Sequence, residues 1–159
     1  MKTAMNMRAI GEPSEALADA FPLALTLTDI AEGQSARVDF TVTRADMRAF
    51  ANISGDYNPL HTDDDFARSK DFDGTVVYGA LLVAKISQLI GMKLPGRDSV
   101  WASVSMEFRK PLFVNQLAQV EGKVANVSAS TGLVELILSV RAAGKLLAKG
   151  RAEVLLVQP

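Results

Sequence analysis

The chain has 159 residues, 17 Lys and Arg against 18 Asp and Glu, one histidine and no cysteine. The length suits one domain with its own core, and the lack of cysteine excludes a disulfide framework, a thiolate nucleophile and a zinc site built on sulfur. Near-balanced charge with no Lys/Arg-rich run gives no footprint for nucleic acid, and no stretch approaches the about 20 apolar residues of a membrane span, so the expectation is a soluble, cytoplasmic protein.

Residues 1–35 read as an N-terminal arm and lead-in. The first 21 mix Gly11, Pro13, Ser14 and several alanines with charges and show no sustained periodicity, and no long apolar run follows the early positive charges, so no signal peptide is expected. Over residues 36–43, Val38, Phe40 and Val42 alternate with Arg37, Asp39 and Thr41, the period of a strand with one wet face. Thr43 then caps a helix with Asp46 in its first turn and Met47, Phe50, Ala51 and Ile53 at helical spacing, until Gly55 stops it.

That helix delivers the chain into residues 53–61, ISGDYNPLH. Pro59 disfavours helix for Asn58 and has no amide hydrogen, and Gly55 and Asn58 tolerate turn conformations, which predicts a shaped loop. Such a loop can aim the Asp56 carboxylate and the His61 imidazole at one point, where the pair can hold a water and move protons. The same residues also serve as ordinary turn formers, and a single histidine is commonly structural or exposed; residue types alone leave both readings open.

Thr62 is expected to cap a second short helix containing Asp63, Asp64, Asp65, Phe66 and Ala67, with acids at its positive end. Consecutive helical residues point in different directions, so the three aspartates read as helix-start charge rather than a metal site. After a charged linker over 69–75, residues 78–90 form a helix that is apolar on most of its circumference and belongs inside, against a sheet, with Gly91, Pro95 and Gly96 ending it. Strands follow at 100–108, 117–127, 132–141 and 146–157, with short links that argue for antiparallel pairing. One strand, helices, then four strands with one apolar helix to bury is an α+β architecture in which a sheet curls around that helix.

The run ISGDYNPLH, followed by TDDDFARSKDFDGTVVYGALLVAKISQLIG, resembles the signature of the MaoC-like (R)-specific enoyl-CoA hydratases. That signature is Asp-x-Asn-Pro-aliphatic-His after a glycine or acidic residue, then a helix entered through a Val-His-Gly turn, here Val77-Tyr78-Gly79-Ala80. The likeness extends from about Ala36 to Val157 and implies a single hot-dog domain over 36–159 that pairs as a homodimer or higher homo-oligomer, with active sites at or near the interface. It implies a hydro-lyase that adds water to a trans-2-enoyl-CoA, giving the (R)-3-hydroxyacyl-CoA. The CoA thioester, or its acyl carrier protein counterpart, is then substrate, and no metal or redox cofactor is implied.

By the same resemblance, Asp56 and His61 hold and deprotonate the water and return a proton. The Gly79 amide, at the helix start, bonds the thioester oxygen. Asn58 braces the loop, and Ser87 and Ile90 fall where the family lines its acyl pocket. Each has a plainer role open to it: close packing for Gly79, a turn for Asn58, core packing for Ser87 and Ile90. Tyr78 stands where the family has histidine, and either keeps the turn's shape or alters proton transfer and substrate choice. Arg109, Lys110, Lys145 and Lys149 are candidates for the anionic CoA, or simply solvated surface. Two other readings stay open. A hot-dog thioesterase commonly uses a carboxylate on the central helix, which has none here; a non-catalytic acyl-thioester-binding module would not need both Asp56 and His61.

Overall fold

The structure, a computed structural model, describes residues 21–157; residues 1–20 of the expected arm lie outside them. In chain order come strand β1 (Ser35–Phe40), helices α1 (Arg44–Ser54), α2 (Pro59–Thr62), α3 (Asp64–Ser69) and α4 (Gly79–Met92), then strands β2 (Ser99–Phe108), β3 (Ala118–Ser128), β4 (Leu133–Ala142) and β5 (Lys145–Leu156). The lead-in before β1 is tied to the body at two places. Leu23 N–H donates to Met92 O at 2.9 Å while its carbonyl accepts from Arg97, and Gly33 and Gln34 exchange backbone bonds with Val124 of β3.

All strand pairs are antiparallel, in the order β1-β3-β4-β5-β2. β3, β4 and β5 follow one another as hairpins, but β2 crosses to the far edge beside β5, an order that the linear pattern of strands does not reveal. Inward positions alternate along each strand as the two-residue period requires: Val134, Leu136, Leu138 and Val140 of β4 and Ala152, Val154 and Leu156 of β5 are buried. They pack with Leu82, Ile86, Leu89 and Ile90 of α4 in a single core. One sheet curled around one apolar helix is the hot-dog fold. No described helix is long and apolar enough to cross a membrane.

Local chemistry adjusts three expectations. Pro59 opens α2 at its first position, where a missing amide hydrogen is no loss, and Asn58 caps it by accepting from Leu60 N at 2.9 Å, so the expected shaped loop ends in a helical turn on which His61 rides. Thr62 ends α2, and Asp63 caps α3 instead, accepting from Asp65 N and Phe66 N. α4 runs through Gly91 to Met92, because one glycine in a well-packed helix costs only about 1 kcal/mol.

The β2–β5 seam depends on Gly150, which lies opposite Met106. A Cβ there would overlap the Ser105 carbonyl oxygen and the Met106 sulfur, whereas at Gly122 it would meet only the tip of Leu89, at 2.8 Å. Gly150→Ala is therefore expected to lower the unfolding free energy by about 1–3 kcal/mol, and Gly122→Ala by less. Urea denaturation of both variants checks this; equal midpoints would contradict it.

Candidate active site

The Asp56 segment is shaped by its own short side chains. Gly55 closes α1 in the left-handed region (φ 74°), its amide bonded to Ala51 O at 2.8 Å. Ser54 Oγ donates to Phe50 O and accepts from Asp56 N at 3.1 Å. Asp56 Oδ1 accepts from Asn58 N at 3.0 Å, the Asx-turn geometry that makes these residues turn formers. The second carboxylate oxygen, Oδ2, has no hydrogen-bond partner among the described residues, and Asp56 is exposed.

His61 is half-buried, with Nδ1 2.7 Å from the Val76 carbonyl oxygen. A carbonyl only accepts, so Nδ1 carries the proton, and in the neutral ring Nε2 carries the lone pair. Val76 is itself held: its N–H donates to Leu60 O at 3.1 Å, and next to it Val77 N–H donates to Leu112 O at 2.8 Å. On its other side, buried Thr75 donates its amide (2.9 Å) and its hydroxyl to Asp64 Oδ1, and Arg44 pairs with Asp64 Oδ2. The Thr75 hydroxyl first, its amide next and Arg44 last hold the Asp64 carboxyl down at about 2.

Tyr78 and Gly79 complete the cluster. The Tyr78 hydroxyl donates to the Asp56 carbonyl oxygen at 2.6 Å, and its ring lies on His61 with centroids 4.1 Å apart. Gly79 is the first residue of α4, which has no side-chain cap, and the Gly79 amide has no partner within the described residues. It therefore presents an N–H at the positive end of a 14-residue helix. A cleft of about 360 Å³ is lined by His61, Gly79, Leu82, Phe108, Arg109 and Lys110, among others. A Cβ on Gly79 would come within 3.1 Å of the Phe108 ring, so glycine keeps this wall open. A second cavity of about 290 Å³, lined by Met47, Tyr57 and Val114, also reaches His61. The first contains the helix N-terminus as well as the imidazole, which makes it the better place for a polarised carbonyl.

The structure thus brings Asp56, Asn58, His61, Tyr78 and Gly79 into one cluster. No hydrogen bond joins Asp56 directly to His61; each is anchored by one heteroatom and leaves the other free. Ser87 and Ile90 lie two to three turns along α4 from Gly79, about 12–17 Å by helical rise; Ser87 is exposed and Ile90 is in the core. Of the expected catalytic and acyl-pocket residues only His61 and Gly79 line the cleft; Asp56, Asn58, Tyr78, Ser87 and Ile90 do not, and Asp56 joins the cluster through the Tyr78 hydroxyl on its carbonyl, while Lys145 and Lys149 are also absent from the lining. Two contributors escape a reading of side-chain motifs: the Val76 carbonyl, which belongs to the backbone, and Phe108, legible only as one apolar residue of a strand.

The Asp64 contact has a testable sign. A carboxyl lowered from 3.8 to about 2 stabilises the fold fully above its ordinary value, and that stabilisation is lost as pH falls through the folded value. The thermal midpoint of the wild type is expected to exceed that of Asp64→Asn at pH 6, the gap closing between about 4 and 2. A gap independent of pH would contradict it.

Comparison with known proteins identifies the family. The MaoC like domain matches residues 26–144. The (R)-specific enoyl-CoA hydratase of Aeromonas caviae is 39% identical over 92 residues, 58% of this chain and 69% of that protein. The enzyme of the same description from Rhodospirillum rubrum is 30% identical over 127 residues, 80% of this chain and 88% of that one. The solved (R)-hydratase from A. caviae superposes with a TM-score of 0.78 at 33% identity, covering 80% of this chain and 98% of its own. A match across most of the length, on a hot-dog fold whose Asp56-x-Asn58-Pro59-x-His61 turn touches Tyr78 just before the central helix, places the chain in the MaoC-like domain family.

Proposed function

We propose that the protein is a hydro-lyase that reversibly hydrates a trans-2-enoyl-CoA to the (R)-3-hydroxyacyl-CoA. The observation that carries this reading is the pairing, in one cleft, of an imidazole whose Nδ1 is spent on Val76 with an unpartnered amide at the start of α4. A water donating one hydrogen to His61 Nε2 and the other to Asp56 Oδ2 turns a lone pair toward C3 of the enoyl group. As the C3–O bond forms, the C2=C3 pair moves through the carbonyl to the thioester oxygen, and the water's proton passes to the dyad. The Gly79 amide and the α4 dipole hold the resulting enolate. The enolate then collapses, and C2 takes the proton from the dyad, so that the whole water is added. Side chains and one amide supply every part of this sequence, so it calls on no metal or redox cofactor.

The anionic end of a CoA thioester, or the phosphopantetheine of an acyl carrier protein, fits Arg109 and Lys110, which line the same cleft. Lys110 is the stronger candidate, because Arg109 is engaged with Glu107 at 2.8 Å. A homodimer is supported by β2, an edge strand that leaves Val100, Val104 and Phe108 about half exposed, features that call for a partner. No nucleic-acid or membrane partner and a cytoplasmic location complete the reading. Thioester hydrolysis is disfavoured by α4, whose sequence GALLVAKISQLIGM carries no carboxylate.

Loss of the conjugated enoyl-thioester absorbance of crotonyl-CoA, with chiral analysis of the product, tests the proposal. Asp56→Asn and His61→Ala are each expected to lower kcat/KM by about 10²–10⁴-fold with the unfolding midpoint near that of the wild type. Near-wild-type rates in either variant would refute the dyad; free-thiol release would point to a thioesterase, and a crotonyl-CoA thermal shift without turnover to a binding module.

A further inference from the structure

Tyr78 does more at this site than shape a turn. It occupies the cap position of α4, yet its side chain does not cap the helix, unlike Thr43, Asn58 and Asp63, each of which bonds an amide of the helix it precedes. Its hydroxyl reaches back 22 residues to the main-chain oxygen of Asp56, at 2.6 Å. Its ring makes two aromatic contacts, with His61 at 4.1 Å and 32° and with Phe50 of α1 at 4.8 Å and 49°. The residue is 2% exposed. One rigid side chain therefore touches the peptide that carries the Asp56 carboxylate and the face of the His61 imidazole, and the next residue along the chain supplies the Gly79 amide.

A buried hydroxyl must find a partner, and the one it finds here is the carbonyl of a residue in the dyad. Burial, with the Asp56 carboxylate second and Tyr57 third, pushes the hydroxyl above its ordinary 10, so it stays a donor throughout the neutral range. The two anchored heteroatoms, Asp56 Oδ1 and His61 Nδ1, fix each group within its own local turn. Neither fixes one group relative to the other, since no hydrogen bond joins them.

We infer that Tyr78 is the positioning residue of the dyad: its hydroxyl on the Asp56 carbonyl and its ring on His61 set the separation across which the two share a water. The inference rests on the hydration reading and deepens it. A displacement of about 1 Å in such a pair is enough to cost about 10²-fold in rate, and the bond that prevents it is made by a residue that does not line the cleft.

Tyr78→Phe keeps the ring and removes only the hydroxyl; Tyr78→Leu removes both contacts. Crotonyl-CoA hydration is to be measured for both beside the wild type, as kcat and KM separately and across pH, with thermal unfolding of each protein. The expected result for Tyr78→Phe is a fall in kcat of about tenfold or more, KM within about threefold, an unfolding midpoint well above the assay temperature and a displaced acid limb of the kcat/KM profile. Tyr78→Leu is expected to lose more activity and also stability. Unchanged kcat and pH profile in folded Tyr78→Phe would overturn the inference while leaving the hydratase reading intact. A raised KM at constant kcat would overturn it in favour of direct substrate contact. Absence of turnover in the wild type over a panel of enoyl thioesters would overturn the functional reading and this inference with it.

Discussion

The site depends on one hydrogen bond, from His61 Nδ1–H to the carbonyl oxygen of Val76. It decides which ring nitrogen is left with a lone pair, the atom proposed as the base, and it orients the ring. The carbonyl can do this only because residues 75–77 are held on every side: by Asp64 through Thr75, by Leu60 through the Val76 amide and by Leu112 through the Val77 amide. An ion pair and a cap-sized cluster of polar bonds on the short helices thus bear directly on the tautomer of the chain's single histidine. The charge of Asp64 belongs to this support, which accounts for a depressed carboxyl so close to a proposed catalytic group that is not itself part of it.

A second constraint lies in how the helices begin. The three short helices are capped by Thr43, Asn58 and Asp63, whose side chains satisfy amides that would otherwise be bare. α4, the helix that the whole sheet wraps, has no such cap. A capping side chain stabilises a helix by about 0.5–2 kcal/mol; its absence leaves the Gly79 amide available in the cleft. The deep apolar packing of Leu82, Ile86 and Leu89 secures α4 without it. The local rule of capping is broken at the one helix start that we propose to hold the enolate.

Much of this was legible in the residues. The alternation at Val38, Phe40 and Val42, the four later strands and the apolar circumference of the central helix were enough for the α+β class, and the Asp-x-Asn-Pro-x-His run marked the segment whose Asp56 and His61 we propose as the dyad. Thr43 as a cap and Gly55 as a stop were legible too, because both act within a few residues of themselves. What stayed hidden acts over distance or through the backbone. The place of β2 beside β5 depends on pairing across 40 or more residues, and the partner of His61 is a carbonyl that every residue possesses. Tyr78 showed only as a departure from a motif; its bond to Asp56 needs the fold to bring residues 22 apart together. Pro59 keeps Asn58 out of helix as expected, but the short helix that opens at Pro59 itself stayed hidden, because proline is at home in a helix only at the first turn.

The proposed chemistry turns on one proton, that on His61 Nδ1, and because the chain has one histidine the proton is directly observable. Two-bond ¹H–¹⁵N correlation spectra of untagged, ¹⁵N-histidine-labelled protein, recorded where the imidazole is neutral, distinguish the two tautomers without reference to any substrate. The expected spectrum is that of the Nδ1–H form, with Nε2 unprotonated and free to accept from water. An Nε2–H form would mean that the Val76 carbonyl does not hold the ring in solution, and the base proposed here would be facing the wrong way.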